Sequence, residues 1–206
     1  MQGYLRTQLR VFLLDDHDIV RQGLRDLLSA HRDIWLVGDS HSARRAIDII
    51  PRLKPDVMVL DLRLQDGSGI EVCREVRAAD PSIKGLLLTS SGDDEALTSA
   101  ILAGAAGYVI KLARSHHILE AVRRVGAGRQ LLDTRLVEGA TRQIRNDMKR
   151  ADPPLTEYQS TLLSYILDGY TNQEVADRSG KPLSVVGADV SSLVDRLISS
   201  PHGPSR

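Results

Sequence analysis

The chain of 206 residues is 42% hydrophobic and 26% charged, the make-up of a folded protein long enough for one ordinary domain and a smaller companion. Its 27 basic and 27 acidic residues cancel, so overall charge selects no partner. The single cysteine, Cys73, excludes an internal disulfide and fits a reducing, cytoplasmic setting. No apolar run is long enough to span a bilayer, and Met1 to Arg10 lacks the apolar core of a secretion signal.

Residues 9–127 alternate strand-like and helix-like segments. Apolar, β-rich runs fall at 9–14, 34–37, 57–60, 83–88 and 107–110. Between them lie helical stripes: Ile19, Gly23, Leu24, Leu27 and Leu28; then Ala43, Ala46, Ile47, Ile50 and Leu53; then Ile70, Val72, Cys73 and Val76. Two more follow, on Ala96, Leu97, Ala100, Ile101 and Ala103 and on Ile118, Ala121, Val122 and Val125. Five such units in succession predict an α/β doubly wound (βα)5 domain over residues 8–128. The first, third and fourth runs are continuously apolar, as in strands covered on both faces.

Residues 129–154 form a linker, with a helix over 134–150 that Asp152-Pro153-Pro154 stops. Residues 155–206 read as a small all-α domain. A helix runs from Leu155 to Leu167, a short one capped by Thr171 or Asn172 extends through Ala176, and Pro182 opens the last. Val186, Val190, Leu193 and Leu197 mark the apolar face of that last helix. A short helix, a tight turn and a longer helix make the helix-turn-helix pattern.

In a doubly wound sheet the reactive groups gather at the carboxyl ends of the strands. Asp15 and Asp16 follow the first strand and Asp61 the third, and these strands are neighbours. Three close carboxylates repel, and a bound divalent cation resolves the repulsion; an all-oxygen site favours Mg²⁺ or Mn²⁺ over zinc. Thr89 and Lys111 end the fourth and fifth runs at the same rim. Singly, an Asp pair after a strand is a turn or cap and a lysine a solvated end. Jointly, a hydroxyl, an ammonium and a cation around one carboxylate suit phosphoryl transfer onto Asp61 as the in-line nucleophile.

The segments VFLLDDHDIV (11–20), DVMVLDLRLQDGSG (56–69), LLTS (87–90) and LAGAAGYVIK (102–111) resemble the receiver domain of NarL/FixJ response regulators, particularly the actinobacterial dormancy-survival regulators. The resemblance implies that Asp61 accepts phosphate from a histidine kinase. It implies Mg²⁺ on Asp16, Asp61 and the main-chain carbonyl of Arg63, with Asp15 helping through water. Thr89 and Tyr108 would be the switch pair and Lys111 the phosphate partner. Gln65 stands where the family commonly has proline, which should loosen the loop. An aspartyl-phosphate phosphatase would need a second acid two residues after the nucleophile; Arg63 is there, so an enzyme is not expected beyond slow self-dephosphorylation.

Residues 155–197 resemble the LuxR-type helix-turn-helix of the same family, most clearly at Gly169–Ala176 (GYTNQEVA). That implies DNA binding, transcriptional regulation and a homodimer or a heterodimer with a related regulator. The last helix departs from the pattern. Gly187 replaces the family's lysine, Ala188 and Asp189 follow it, and Gln173 replaces a common lysine. Gly187 should weaken the helix by about 1 kcal/mol relative to alanine. The stretch after Pro201 is too short for the family's last helix. Residues 155–206 carry 4 basic against 6 acidic residues, a net of −2 that phosphates repel. Lys181, Ser184, Ala188 and Arg196 remain as candidates for DNA contact. Two outputs stay open: DNA binding through the helix-turn-helix, or protein–protein contact with DNA binding weak or lost.

Overall fold

The computed structural model describes residues 8–90, 94–111 and 114–199. The elements in chain order are β1 (Leu9–Leu14), α1 (Asp18–Ser29), β2 (Ile34–Ser40), α2 (Ala43–Leu53) and β3 (Val57–Asp61). Then come the two-residue strands β4 (Arg63–Leu64) and β5 (Gly67–Ser68), α3 (Gly69–Ala79), β6 (Lys84–Thr89), α4 (Asp94–Ala103), β7 (Gly107–Ile110) and α5 (Ser115–Gly126). Four helices close the chain: α6 (Thr134–Lys149), α7 (Glu157–Leu167), α8 (Asn172–Ser179) and α9 (Leu183–Ser199). None of the described helices is long and apolar enough to cross a membrane.

The five long strands form a parallel sheet in the order β2-β1-β3-β6-β7. The three central ones carry the continuously apolar runs, because both of their faces are covered. Alternation splits the core. Val11, Leu13, Val57, Val59, Leu86 and Leu88 meet α1 and α5, while Phe12, Leu14, Met58, Leu60 and Leu87 meet α2, α3 and α4. Edge strand β2 runs three residues beyond its apolar stretch, since pairing with β1 continues to Leu14 against Ser40.

Two expectations are corrected. Ile19 lies outside the core at 89% exposure, because α1 turns the Val20, Leu24, Leu27 and Leu28 face to the sheet. Nor is the loop at Gln65 loose. Arg63–Leu64 pairs antiparallel with Gly67–Ser68, and the Asp66 carboxylate at the tip accepts from the Ser42 hydroxyl at 2.7 Å and the Ala43 N–H at 2.8 Å. Asp66 thereby tethers the loop to the start of α2. The Ala43 N–H first, then the Ser42 hydroxyl, hold its carboxyl below the usual carboxylate range.

The carboxy-terminal helices are set by local chemistry. Asp133 caps α6, reciprocal capping boxes Thr156/Gln159 and Thr171/Glu174 start α7 and α8, and Gly180 in the left-handed region (φ 67°) ends α8. Residues 200–206, including the stretch after Pro201, lie outside the described residues.

These helices do not stand apart from the sheet. Ile144, Met148, Leu162, Leu163, Val175, Val186 and Val190 continue the cluster that α3 and α4 build on the sheet. A buried polar joint fixes the seam. Arg74 of α3 is 5% exposed and donates to the Leu102 carbonyl (2.8 Å), the Asn172 side-chain oxygen (2.9 Å) and the Tyr170 carbonyl (3.0 Å). Asn172 in turn donates to Glu75 at 2.8 Å. These three acceptors of Arg74 are neutral, and burial pulls its guanidinium down to about 10. Removing the joint strands the buried Asn172 oxygen and two carbonyls, so Arg74→Met is expected to cost roughly 2–3 kcal/mol. Urea titration reads this directly; an unchanged midpoint would mean that the seam carries no stability.

Candidate functional site

The sheet register places the acidic side chains. Leu14 of β1 pairs with Leu60 of β3, so Asp15 and Asp61, next along their strands, leave the sheet side by side. Asp15 is 0% and Asp61 4% exposed. Asp16 comes in from the following turn, where the Gln65 N–H donates to its Oδ2 at 2.9 Å. On the other side, β6 and β7 align Thr89 with Ile110, and the Lys111 N–H donates to the Thr89 carbonyl at 2.7 Å. The Lys111 Nζ then lies 2.7 Å from Asp61 Oδ2 and 2.9 Å from Asp15 Oδ2. Above Asp61 is an open cleft of about 270 Å³ that Thr89, Ser90, Arg63, Glu95 and His17 also line.

Charge in this rim is unbalanced. Burial raises the Asp61 carboxyl above its ordinary value, with Asp15 adding repulsion, although Lys111 opposes both. Burial works against the Lys111 ammonium, but its close contacts with the Asp61 and Asp15 carboxylates outweigh that and lift it above its usual range. Both directions follow from one ammonium serving two buried carboxylates. Asp15 Oδ2 and Asp16 Oδ1 are buried without a directed hydrogen bond, so the Lys111 contact is purely ionic at the former. Asp15, Asp16, Asp61 and His17 each bring a donor atom to one spot, all within 4.8 Å of one another. Oxygen-rich donors with unsatisfied negative charge fit a divalent cation.

The other expected residues fall in different places. The Arg63 N–H points to Asp61 Oδ1 at 3.4 Å and its guanidinium pairs with Glu95 at 2.7 Å. Thr89 is buried at the rim. Tyr108 is not in the Asp61 cleft. It is half-buried on edge strand β7 and lines a separate cleft with His117, Glu120, Arg124 and Leu131.

Nor do the candidates for DNA contact form one free patch. Lys181 lies 3.8 Å from the Tyr158 ring and 3.8 Å from Asp189, and Arg196 donates to the Pro153 carbonyl. Of these four candidates, Ser184 and Ala188 stand exposed on α9. Asp189 accepts from the Tyr158 hydroxyl at 2.8 Å; burial first, then this bond, push that phenol up to about 12. Gly187 faces the sheet domain, where a side chain would meet the Glu75 carboxylate at 2.7 Å.

Residues 11–123 match the response regulator receiver domain, and the chain belongs to the response regulators of two-component systems. Within that family it is of the NarL/FixJ type. The DNA-binding transcriptional activator DevR/DosR of Mycobacterium tuberculosis is 43% identical over 191 residues, covering 92% of this chain and 88% of its own. The response regulator protein VraR of Staphylococcus aureus is 34% identical over 192 residues, covering 92% and 90%. A LuxR-family two-component response regulator from Aurantimonas sp. SI85-9A1 superposes with a TM-score of 0.58 at 29% identity, over 66% of this chain and 97% of that one.

Three residues had no role in the sequence reading, His17, Asp66 and Arg74, and Asn172 entered it only as a helix cap. His17 directly follows the Asp pair, a position from which a ring readily reaches its neighbours. Gly69 shows how tightly the strand that carries Asp61 is held. Its N–H donates to the Leu62 carbonyl at 3.2 Å, and a methyl group there would run into the Asp61 carbonyl. Gly69→Ala is therefore expected to destabilise the fold by roughly 1–3 kcal/mol and to shift Asp61 off the rim. Thermal melting and a crystal structure of the variant check the two effects; an unmoved Asp61 would mean that the contact is absorbed elsewhere.

Proposed function

We propose that Asp61 is the phosphoacceptor of a receiver spanning residues 8–128, joined through residues 129–154 to an output domain over 155–206. The supporting observation is the Lys111 ammonium 2.7 Å from Asp61 beside buried carboxylate oxygens that lack hydrogen bonds. An Asp61 oxygen attacks the phosphorus of a histidine kinase's phosphohistidine, the P–N bond breaks, and the imidazole leaves as the acyl phosphate forms. Mg²⁺, held by Asp16, Asp61 and the Arg63 carbonyl with Asp15 through water, would offset charge on the phosphoryl oxygens. Lys111 turns from its carboxylate partners to the new oxygens, and Thr89 closes on them. Tyr108 then moves inward from its own cleft, and the face around α4 and β7 changes. Water slowly returns the acyl phosphate to the carboxylate, which resets a switch and is not metabolic catalysis. The setting is cytoplasmic.

The expected output is transcription, through DNA binding by α8 and α9 as a homodimer or a heterodimer with a related regulator; DevR/DosR is itself named a DNA-binding activator. One observation favours a second output. Gly187, where the family's lysine would reach DNA, abuts Glu75, and the charge of residues 155–206 repels phosphate. On that reading the last helix serves as a protein-docking surface and DNA binding is weak or lost.

Asp61→Asn should abolish phosphoryl uptake from a kinase or a small phosphodonor, and persistent labelling of the variant would refute the assignment. For the output, DNA affinity of the phosphorylated full chain is titrated against salt, beside Gly187→Lys. A steep salt dependence in the parent chain supports DNA recognition. Absent binding that the added lysine restores supports docking.

A further inference from the structure

His17 is the one nitrogen donor in an otherwise oxygen-only cluster. Its Nδ1 lies 2.9 Å from Asp16 Oδ1, 3.3 Å from Asp15 Oδ1 and 3.6 Å from Asp61 Oδ2. Around one ion with bonds of about 2.0–2.2 Å, neighbouring ligand atoms stand about 2.8–3.1 Å apart in octahedral geometry and about 3.3–3.6 Å apart in tetrahedral geometry. Each of the three separations falls in one or other of these ranges.

The acidic partners are held ready for such an arrangement. Asp16 Oδ2 is engaged by the Gln65 N–H at 2.9 Å, a donor that a proline at this position would lack. This leaves the other oxygen, on a side chain only 9% exposed, buried without a hydrogen bond and aimed at the His17 ring. The His17 N–H fixes Asp15 Oδ1 at 2.9 Å. The imidazole itself is 65% exposed, so its turn onto an ion sacrifices little packing.

Imidazole alters what such a site selects. Carboxylates and carbonyls alone suit Mg²⁺, whereas one nitrogen ligand raises affinity for first-row transition dications and leaves Mg²⁺ nearly indifferent. We propose that His17 donates Nδ1 to the divalent ion bound by Asp15, Asp16 and Asp61, so that the site prefers a transition-metal dication over Mg²⁺. The proposal rests on the reading that this cluster holds a divalent cation. The competing role for the same geometry is a ring N–H that only hydrogen-bonds to the carboxylates.

The test uses the full chain with Mn²⁺ and Mg²⁺ as probes. Pulsed paramagnetic resonance of bound Mn²⁺ should show ¹⁴N coupling in the parent protein and none in His17→Ala. In calorimetric titrations the same substitution should lower the Mn²⁺-over-Mg²⁺ affinity ratio about tenfold, leaving Mg²⁺ affinity essentially unchanged. Mn²⁺ bound without nitrogen coupling, or equal losses for both ions in His17→Ala, overturns the proposal while the cation site stands. Failure of the parent chain to bind either ion overturns the cation site and the proposal together.

Discussion

One crowded electrostatic arrangement governs this molecule: buried carboxylates from two adjacent strand ends sharing a single ammonium. Asp15 and Asp61 are almost wholly out of water, and Lys111 contacts both. Like charges at this separation in a poorly solvated place are tolerated only where something else is gained. Here the result is a carboxylate oxygen set at the edge of the sheet, with positive charge already beside it. The rest of the sheet domain reads as support for that point. Gly69 lets α3 begin close against β3, the Asp66 tether stiffens the following hairpin, and the Gln65 N–H orients Asp16.

The second constraint is the seam between the sheet domain and the carboxy-terminal helices. A guanidinium whose three acceptors there are neutral is an expensive thing to bury, and it holds only where all of its hydrogen bonds are made. Arg74 thus specifies one docking geometry more sharply than the apolar contacts around it. Gly187 belongs to the same fit. The absence of a side chain there lets α9 approach α3 near Glu75.

Much of the sheet domain was legible in sequence because period-two burial and short apolar runs leave few alternatives. The central strands fell where their runs did. The meeting of Asp15, Asp16, Asp61 and Lys111 was legible because topology alone brings those strand ends together. What escaped depended on single side chains acting over long separations. Arg74 belongs to no apolar stripe, and its partner Asn172 is 98 residues away. Ile19 fits a helical stripe but misses the sheet by about one residue's rotation, which periodicity resolves poorly. Gly187 read as a weak helix residue; its steric use against another element is invisible in one dimension. Asp66 carries no sequence pattern that names its partner, and only the fold shows which helix it captures.

Arg74 binds the carbonyl of Leu102, near the end of α4, with the same guanidinium that grips the start of α8. The helix that carries Glu95 beside the Asp61 cleft and helix α8 are therefore fastened to one group. Coupling through a shared fastening runs in both directions by thermodynamic necessity. Drawing α8 off the sheet domain breaks the bonds of Arg74 to Asn172 and Tyr170 and leaves a buried guanidinium short of partners beside α4, so whatever grips α8 must first overcome that local penalty.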